Sequence, residues 1–110
     1  MLQEEEKRVT KTLLQIDFPF DGPFGDEMAA QLDGLARDIA AETGLLWKIW
    51  TENEAEKRAG GIYLFADPDN AARYLAKHSA RLQGFGISGI EAKTFAVNDA
   101  LNAVTRGPAG

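Results

Sequence analysis

Hydrophobic and polar positions alternate along four stretches of the chain and recur with helical spacing along two others. Alternation is typical of strands, whereas apolar residues that recur every three or four positions are typical of helices. The elements are therefore predicted in the order β-α-β-β-α-β, followed by a short helix over residues 99–104. The predicted strands span residues 10–18, 45–52, 60–66 and 90–97.

The two predicted helices have recognisable beginnings and ends. The first follows a loop rich in glycine and proline, begins near Asp26 and Glu27, and ends at Gly44, since acids favour the first turn and glycine the end of a helix. The second runs from Asp67 to Gly84, with a proline in its first turn. Their inward faces carry Met28, Leu32, Leu35 and Ile39, and Ala71, Leu75, His78 and Leu82, respectively.

This order of elements predicts one α+β domain of the ferredoxin-like kind. Two right-handed β-α-β crossovers give a four-stranded antiparallel sheet with both helices on one face. The domain is predicted to span residues 10–105, between a flexible extension over residues 1–9 and a flexible tail over residues 106–110.

The two faces of the sheet are assigned from the alternation within each strand. One set is mostly aliphatic and is predicted to pack under the helices: Leu14, Ile16, Phe18, Leu45, Trp47, Ile49, Ile62, Leu64, Ile90, Ala92 and Thr94. The other set mixes aromatic and polar side chains and is predicted to form the open face: Leu13, Gln15, Asp17, Leu46, Lys48, Trp50, Glu52, Tyr63, Phe65, Glu91, Lys93, Phe95 and Val97.

An open face with so many aromatic residues predicts a partner. Four aromatic side chains would expose several hundred Å² of apolar surface, which is about the largest patch that soluble monomers show. Two such faces packed together in a homodimer would cover this surface. They would leave either an aromatic-lined pocket for a small molecule or a filled interface without a cavity, and the pattern does not decide between the two.

Composition narrows the chemistry. The chain has no cysteine and a single histidine, which removes thiolate catalysis, disulfides and metal sites that need several such ligands from one chain. Its net charge of −5 disfavours nucleic acid and anionic membranes as partners. No apolar segment resembles a signal peptide or a membrane span, so a cytoplasmic location is expected.

Five separated segments carry a resemblance to a known family. They read FDGPFGDEMAAQL, GLLWKIWTENE, AGGIYLF, YLAKHSARL and AKTFAVN. In order and spacing they resemble the YdhR-like mono-oxygenase family, over about residues 13–101. The resemblance implies the fold of the dimeric α+β-barrel proteins, a tight homodimer and a small-molecule pocket. That wider group includes cofactor-independent mono-oxygenases of aromatic compounds and haem-degrading enzymes.

The resemblance makes oxidation of a small aromatic compound without a cofactor the first hypothesis. The predicted substrate-binding residues are aromatic, because such walls bind a ring and shield the reaction from water; Tyr63, also on the open face, is a candidate catalytic residue. A filled dimer interface is the alternative for these side chains. The full substrate-binding set is Gln15, Phe24, Trp50, Phe65 and Phe95, with Gln15 as a hydrogen-bond donor to a carbonyl and Phe24 as a lid.

Lys48 and His78 complete the candidate catalytic set. Lys48, like Lys93, could stabilise a developing oxyanion, or it could lie in water at the rim of the sheet. His78 could act as a general base or as an axial ligand to haem, or it could cap the carbonyls of its own helix. No metal site is predicted. A dimer that binds a small molecule without chemistry, and a haem-handling protein, remain the alternatives to the oxygenase.

Overall fold

A computed structural model describes residues 10–108 as a four-stranded sheet covered on one face by helices. The predicted extension over residues 1–9, and the last two residues of the predicted tail, lie outside the described residues. The elements are β1 (Thr12–Pro19), α1 (Gly25–Gln31), α2 (Asp33–Ala40), β2 (Leu45–Asn53), β3 (Arg58–Phe65), α3 (Pro68–Gly84), β4 (Glu91–Ala96) and α4 (Asp99–Val104).

The strands lie in the order β2-β3-β1-β4, and every neighbouring pair is antiparallel. This is the strand order of the ferredoxin-like plan, so the predicted α+β fold is confirmed. Helix α3 packs against β1 and β3, while α2 packs against β2. Within residues 10–108, no helix has the length and apolar character needed to cross a membrane.

Local signals explain where the helices begin. The Asp67 carboxylate accepts a hydrogen bond from the backbone N–H of Asn70 at 2.7 Å and so caps α3. Asn98 caps α4 in the same way, through the N–H of Leu101 at 3.1 Å. The first predicted helix differs from expectation, because it is divided at Leu32 into α1 and α2. Gly34, a poor helix former, follows the division directly.

The core lies between the sheet and α2 and α3. Leu14 and Ile16 of β1 are fully buried there, as predicted, and Ile39 of α2 covers them together with Tyr74 of α3. Tyr63 and Phe65 of β3 are also buried in this layer. The pairing of the strands requires this placement, because Tyr63 lies opposite Leu14 and Phe65 opposite Thr12, and paired residues share a face.

The predicted faces are therefore wrong for β3 and for β2 from Trp47 onward, whereas those of Leu45, β1 and β4 are right. Lys48 pairs with Tyr63 and Trp50 pairs with Gly61, so both lie on the helix side. The register shifts between Leu45 and Trp47, which interrupts the simple alternation. The reversal moves Lys48, Trp50, Tyr63 and Phe65 to the helix side, and Trp47, Ile49, Ile62 and Leu64 to the open face.

Gly60 provides a test of the sheet packing, because a Cβ there would meet the backbone of β1 at Ile16 and Asp17. We expect Gly60→Ala to lower the free energy of unfolding by about 1–3 kcal/mol or more, as overpacking does. Gly34→Ala is the matched control, since a Cβ in α2 meets nothing and should raise stability by roughly 0.5–1 kcal/mol. Urea unfolding of both variants measures the difference, and a stable Gly60→Ala protein would contradict the pairing of β3 with β1.

Candidate functional site

A cavity lies between the helix side of the sheet and the helices, at the end of the core where β2 and β3 meet the C-terminal half of α3. Its inner part has a volume of about 70 Å³. The walls are mainly apolar, and three titratable side chains, Lys48, Tyr63 and His78, border it. A mostly apolar cavity with a few convergent polar groups is typical of small-molecule sites.

The inner cavity is continued by a surface groove of about 310 Å³, at the division between α1 and α2. Both are bordered by Phe20, Met28, Leu32, Phe85 and Ile87. A cavity of about 150 Å³ is known to hold benzene, so the inner part alone is too small for an aromatic ring. The cavity and groove together have room for one, with its polar edge inside.

The three predicted catalytic residues, Lys48, Tyr63 and His78, thus border one cavity, although they come from three different elements. Lys48 comes from β2, Tyr63 from β3 and His78 from α3. They meet on the helix side of a single protomer rather than on the open face. The predicted location of the pocket, between the sheets of two protomers, is therefore corrected for these residues.

Lys48 lies on aromatic rings inside the protein. Its Nζ is 3.3 Å from the centre of the Trp50 ring and 4.7 Å from that of Tyr63, both within the range of a cation–π interaction. Its stem crosses Gly61, where a Cβ would contact Lys48 Cε. Burial, and to a smaller extent the Arg81 charge, lower the pKa of Lys48 to about 7. Lys48 therefore loses its proton far more readily than an exposed lysine does.

His78 is 3% exposed and is held by its own helix. Arg81 Nε and Nη2 lie 3.2 and 3.0 Å from His78 Nδ1, and Arg81 Nη1 donates to Asp38 Oδ2 of α2 at 2.7 Å. Burial, then the Arg81 charge and then that of Lys48 lower the pKa of His78 to about 3. His78 is consequently neutral at physiological pH. Within residues 10–108 its ring contacts Arg81 and makes no hydrogen bond to a carbonyl of its helix.

Two buried tyrosines form the remaining polar contact. The Tyr74 hydroxyl donates to the Tyr63 hydroxyl at 3.2 Å, and the Tyr74 ring stacks on His78 with centres 5.0 Å apart. Burial raises the pKa of Tyr63 to about 12, against smaller lowering effects from the Tyr74 hydrogen bond and Arg81. Burial and Tyr63 raise the pKa of Tyr74 as well. Both phenols therefore stay protonated, and the Tyr63 hydrogen remains for a ligand.

The predicted substrate-binding residues divide among four places. Trp50, 38% exposed, borders the cavity. Phe65 is completely buried behind it, against Tyr63 and Tyr74. Phe24 does not border the cavity but packs edge-to-face on Phe20, which does, with ring centres 5.7 Å apart.

Gln15 and Phe95 lie away from the cavity, on the open face of the sheet. Gln15 pairs with Lys93 and Ile62, and Phe95 pairs with Leu13. Phe95 is 49% exposed. Neither side chain shares a space with Lys48 or His78, so their predicted contact with substrate would need a second site on this face.

Two residues of the site were missed from the sequence. They are Arg81 and Tyr74, neither of which is among the candidate residues of the sequence analysis. Their positions on α3, three residues after His78 and four residues before it, place them on the same helical face. This spacing along α3 was the feature of the sequence from which both residues could have been assigned to the site.

The described residues offer little for a metal or for haem. Among residues 10–108, no three histidine or acidic side chains gather as a metal site requires. His78 as a haem ligand would need space for a porphyrin beside its ring, but the ring is enclosed by Tyr74, Tyr63 and Arg81, next to an inner cavity of about 70 Å³. The site does not fit haem.

Fold and site together define a ferredoxin-like α+β protein with an apolar cavity that is lined by cationic and phenolic groups at its inner end. The sequence model of the family described as "Putative mono-oxygenase ydhR" matches residues 13–108, and the chain belongs to this family. The predicted membership is therefore confirmed. No curated protein matches the chain significantly.

The burial of Lys48 predicts a pH-dependent stability. Because the pKa of Lys48 is lower in the folded protein than in the unfolded chain, the unfolded state binds more protons above pH 7, and this contribution makes stability rise with pH. Lys48→Met removes this contribution. The free energy of unfolding of the variant should therefore exceed that of the wild type by most near pH 7 and by less toward about pH 9.5. Urea unfolding across this range measures it.

Lys77→Met is the control, because Lys77 lies on the outer side of α3 against Glu42. Its effect on the unfolding free energy should be small and nearly constant over the same pH range. An equally constant effect of Lys48→Met would show that Lys48 is charged and well solvated in the folded protein.

Proposed function

We propose that the protein is a mono-oxygenase that oxidises a small aromatic compound without a cofactor. Family membership supports the reaction class. The observation that carries the proposal is Lys48, an amine with a pKa near 7 at the inner end of an apolar cavity. A general base works best when its pKa is close to the pH at which it acts.

The substrate ring would lie in the groove between α1 and the loop after α3, with its reactive edge against Lys48. Met28, Leu32 and Phe85 form apolar walls there, and Trp50 closes one side of the inner cavity. These walls exclude water from a reactive intermediate. A ring is also the shape that such walls bind best.

Lys48 in its neutral form would remove a proton from an acidic CH₂ or from a phenol conjugated with it. The resulting anion then lies beside the Lys48 ammonium, the Tyr63 hydroxyl and the neutral His78 ring. An anion in a low-dielectric site is stabilised strongly by such donors. Deprotonation thus produces an electron-rich substrate, which dioxygen can oxidise.

The oxygen step needs no outside reductant. The anion donates electrons to O₂, a C–O bond forms at the deprotonated carbon, and Lys48 returns its proton to give a hydroperoxide. Loss of water then leaves a carbonyl where the CH₂ was, so that R₂CH₂ and O₂ give R₂C=O and H₂O. The substrate supplies all the electrons, which restricts it to compounds with an acidic CH₂ conjugated with aromatic rings, such as anthrones.

The protein is further proposed to act as a homodimer through the open face of the sheet. This face presents Trp47 and Ile49, the latter 50% exposed, on β2 and Phe95 on β4, with Ile62 and Leu13 on the strands between them. Exposed apolar patches of this kind mark interaction sites. A second copy offers a matching apolar face, as two-fold pairing requires. The dimer would bury this surface without forming the cavity.

Oxygen consumption tests the proposed reaction. Purified protein should consume O₂ with an anthrone, and carbonyl product should appear in equal amount. Lys48→Met should reduce the rate by about 10²-fold or more, which is the usual contribution of a general base. Lys77→Met should retain the wild-type rate. An absence of O₂ uptake while the anthrone quenches the tryptophan fluorescence would establish binding without chemistry and refute the proposed reaction.

Introducing charged residues on the open face tests whether the protein forms the proposed homodimer. Sedimentation should give twice the 12.0 kDa mass of one chain for the wild type. Ile49→Glu combined with Phe95→Glu should give a monomer, because buried unpaired carboxylates oppose association. Ala76→Glu, on the exposed side of α3, should leave the dimer intact. A wild-type monomer at micromolar concentration would refute the proposal.

A further inference from the structure

Arg81 reaches back along α3 and contacts His78 inside the protein. Two of its guanidinium nitrogens lie 3.0 and 3.2 Å from the same ring nitrogen, Nδ1. The third, Nη1, is held at 2.7 Å by the Asp38 carboxylate of α2. Arg81 therefore joins the two helices that cover the cavity, and its direction is set from both ends.

The contact determines the state of the His78 ring. A guanidinium can only donate hydrogen bonds, so Nδ1 must accept and cannot carry a hydrogen. The ring is neutral, which places its one hydrogen on Nε2. Among residues 10–108, Nε2 has no hydrogen-bond partner, and the His78 ring borders the inner cavity. His78 thus has a free donor but no free acceptor.

The same end of the cavity has two further donors. The Tyr63 hydroxyl accepts from Tyr74 and can give its own hydrogen to a ligand. The Lys48 amine lies over the Tyr63 ring and borders the cavity as well. Among the described residues, no carboxylate borders the inner cavity, and Asp38, which balances Arg81, has a side chain that is 58% exposed. The inner end therefore favours a group that accepts hydrogen bonds.

We propose that Arg81 is a positioning residue, which keeps His78 as an Nε2–H donor, and that the inner end of the cavity binds an anionic oxygen on an aromatic ligand. The inference deepens the proposed function, on which it rests for the aromatic part of the ligand. It narrows the substrate to compounds with an ionisable oxygen, such as phenols and enols. It also removes His78 from the candidate bases, because Nδ1 already accepts from Arg81 and Nε2 carries the hydrogen.

Several charged or titratable groups face His78 and could change its state. Lys48 of β2 and Tyr63 of β3 approach from the sheet, and Tyr74 and Arg81 belong to its own helix. Asp38 acts through Arg81. Both cations oppose protonation of His78, and the tyrosines remain neutral below pH 10. The Nε2–H form should therefore persist from pH 8 to pH 5.

The single histidine makes the first test direct. A long-range ¹H–¹⁵N spectrum of the uniformly labelled protein contains one imidazole, so its tautomer is assigned without ambiguity. The wild type should show the Nε2–H form, unchanged between pH 8 and pH 5. Arg81→Met should give a mixture of tautomers that titrates at a higher pH. Arg73→Met is the matched control, since Arg73 is exposed on the same helix and contacts Asn70.

Two results would overturn the positioning role. One is an Nδ1–H tautomer in the wild type, and the other is a folded Arg81→Met protein with the wild-type spectrum and pH profile. If Arg81→Met does not fold, Asp38→Asn replaces it, because Asp38 is at the surface and its loss only loosens the guanidinium. That variant should show a partial shift of the tautomer, and an unchanged spectrum would equally contradict the proposal.

The second test uses 4-nitrophenol, whose absorbance distinguishes the phenol from the phenolate, with nitrobenzene as the uncharged comparison. The wild type should bind the phenolate form and prefer it over nitrobenzene by about tenfold or more, because hydrogen bonds to charged groups are worth roughly 1.5–3 kcal/mol. Arg81→Met should lose most of this preference and Arg73→Met should keep it. Binding of the neutral phenol, or equal affinity for both compounds, would overturn the anion site.

The two proposals can fail separately. A protein that binds nitrophenolate through an Nε2–H histidine but consumes no O₂ with any anthrone refutes the oxygenase and leaves the anion site in place. A protein that oxidises anthrones at the wild-type rate after Arg81→Met, with the tautomer unchanged, refutes the positioning role of Arg81 and leaves the oxygenase in place.

Discussion

The site depends on the placement of two cations in one apolar space. Lys48 and Arg81 approach the same histidine from the sheet and from α3, and only Arg81 has a carboxylate partner. Because charges are poorly solvated there, Lys48 tends to lose its proton and His78 does not gain one. Both effects follow from packing α3 over β2 and β3. The fold therefore sets the chemistry of the cavity more directly than any single side chain does.

The fold itself was predictable, because its signals are local. The acidic cap at Asp67, the glycines that end helices and the alternation within strands gave the order of elements, and handedness then restricted the topology. The assignment of faces was not predictable for β2 and β3. In these two strands both faces carry large apolar side chains, so alternation separates two sets of residues without showing which set the helices cover. The irregular register after Leu45 added to the ambiguity.

The sequence predicted only some of the residues of the candidate site, because the choice of residues depended on the same assignment of faces. Lys48, Tyr63 and Trp50 were chosen because alternation assigned them to the face that mixes aromatic and polar side chains, and they do lie together, although on the other side of the sheet. Gln15 and Phe95 were placed with them by the same assignment and lie elsewhere. Arg81 was missed because its role depends on a contact with His78 inside the fold, whereas its spacing along α3 also suits a solvated stripe.

Gly61 contributes to the site because it has no side chain. The Lys48 stem occupies the space that a side chain at position 61 would fill, and the Tyr63 ring borders the same space. Position 61 therefore constrains where the amine can lie, although it has no chemistry of its own. Among related sequences, a lysine at the position of Lys48 would be informative only together with this glycine. Lys48 together with Gly61, rather than the lysine alone, is the sequence pattern that indicates the buried amine.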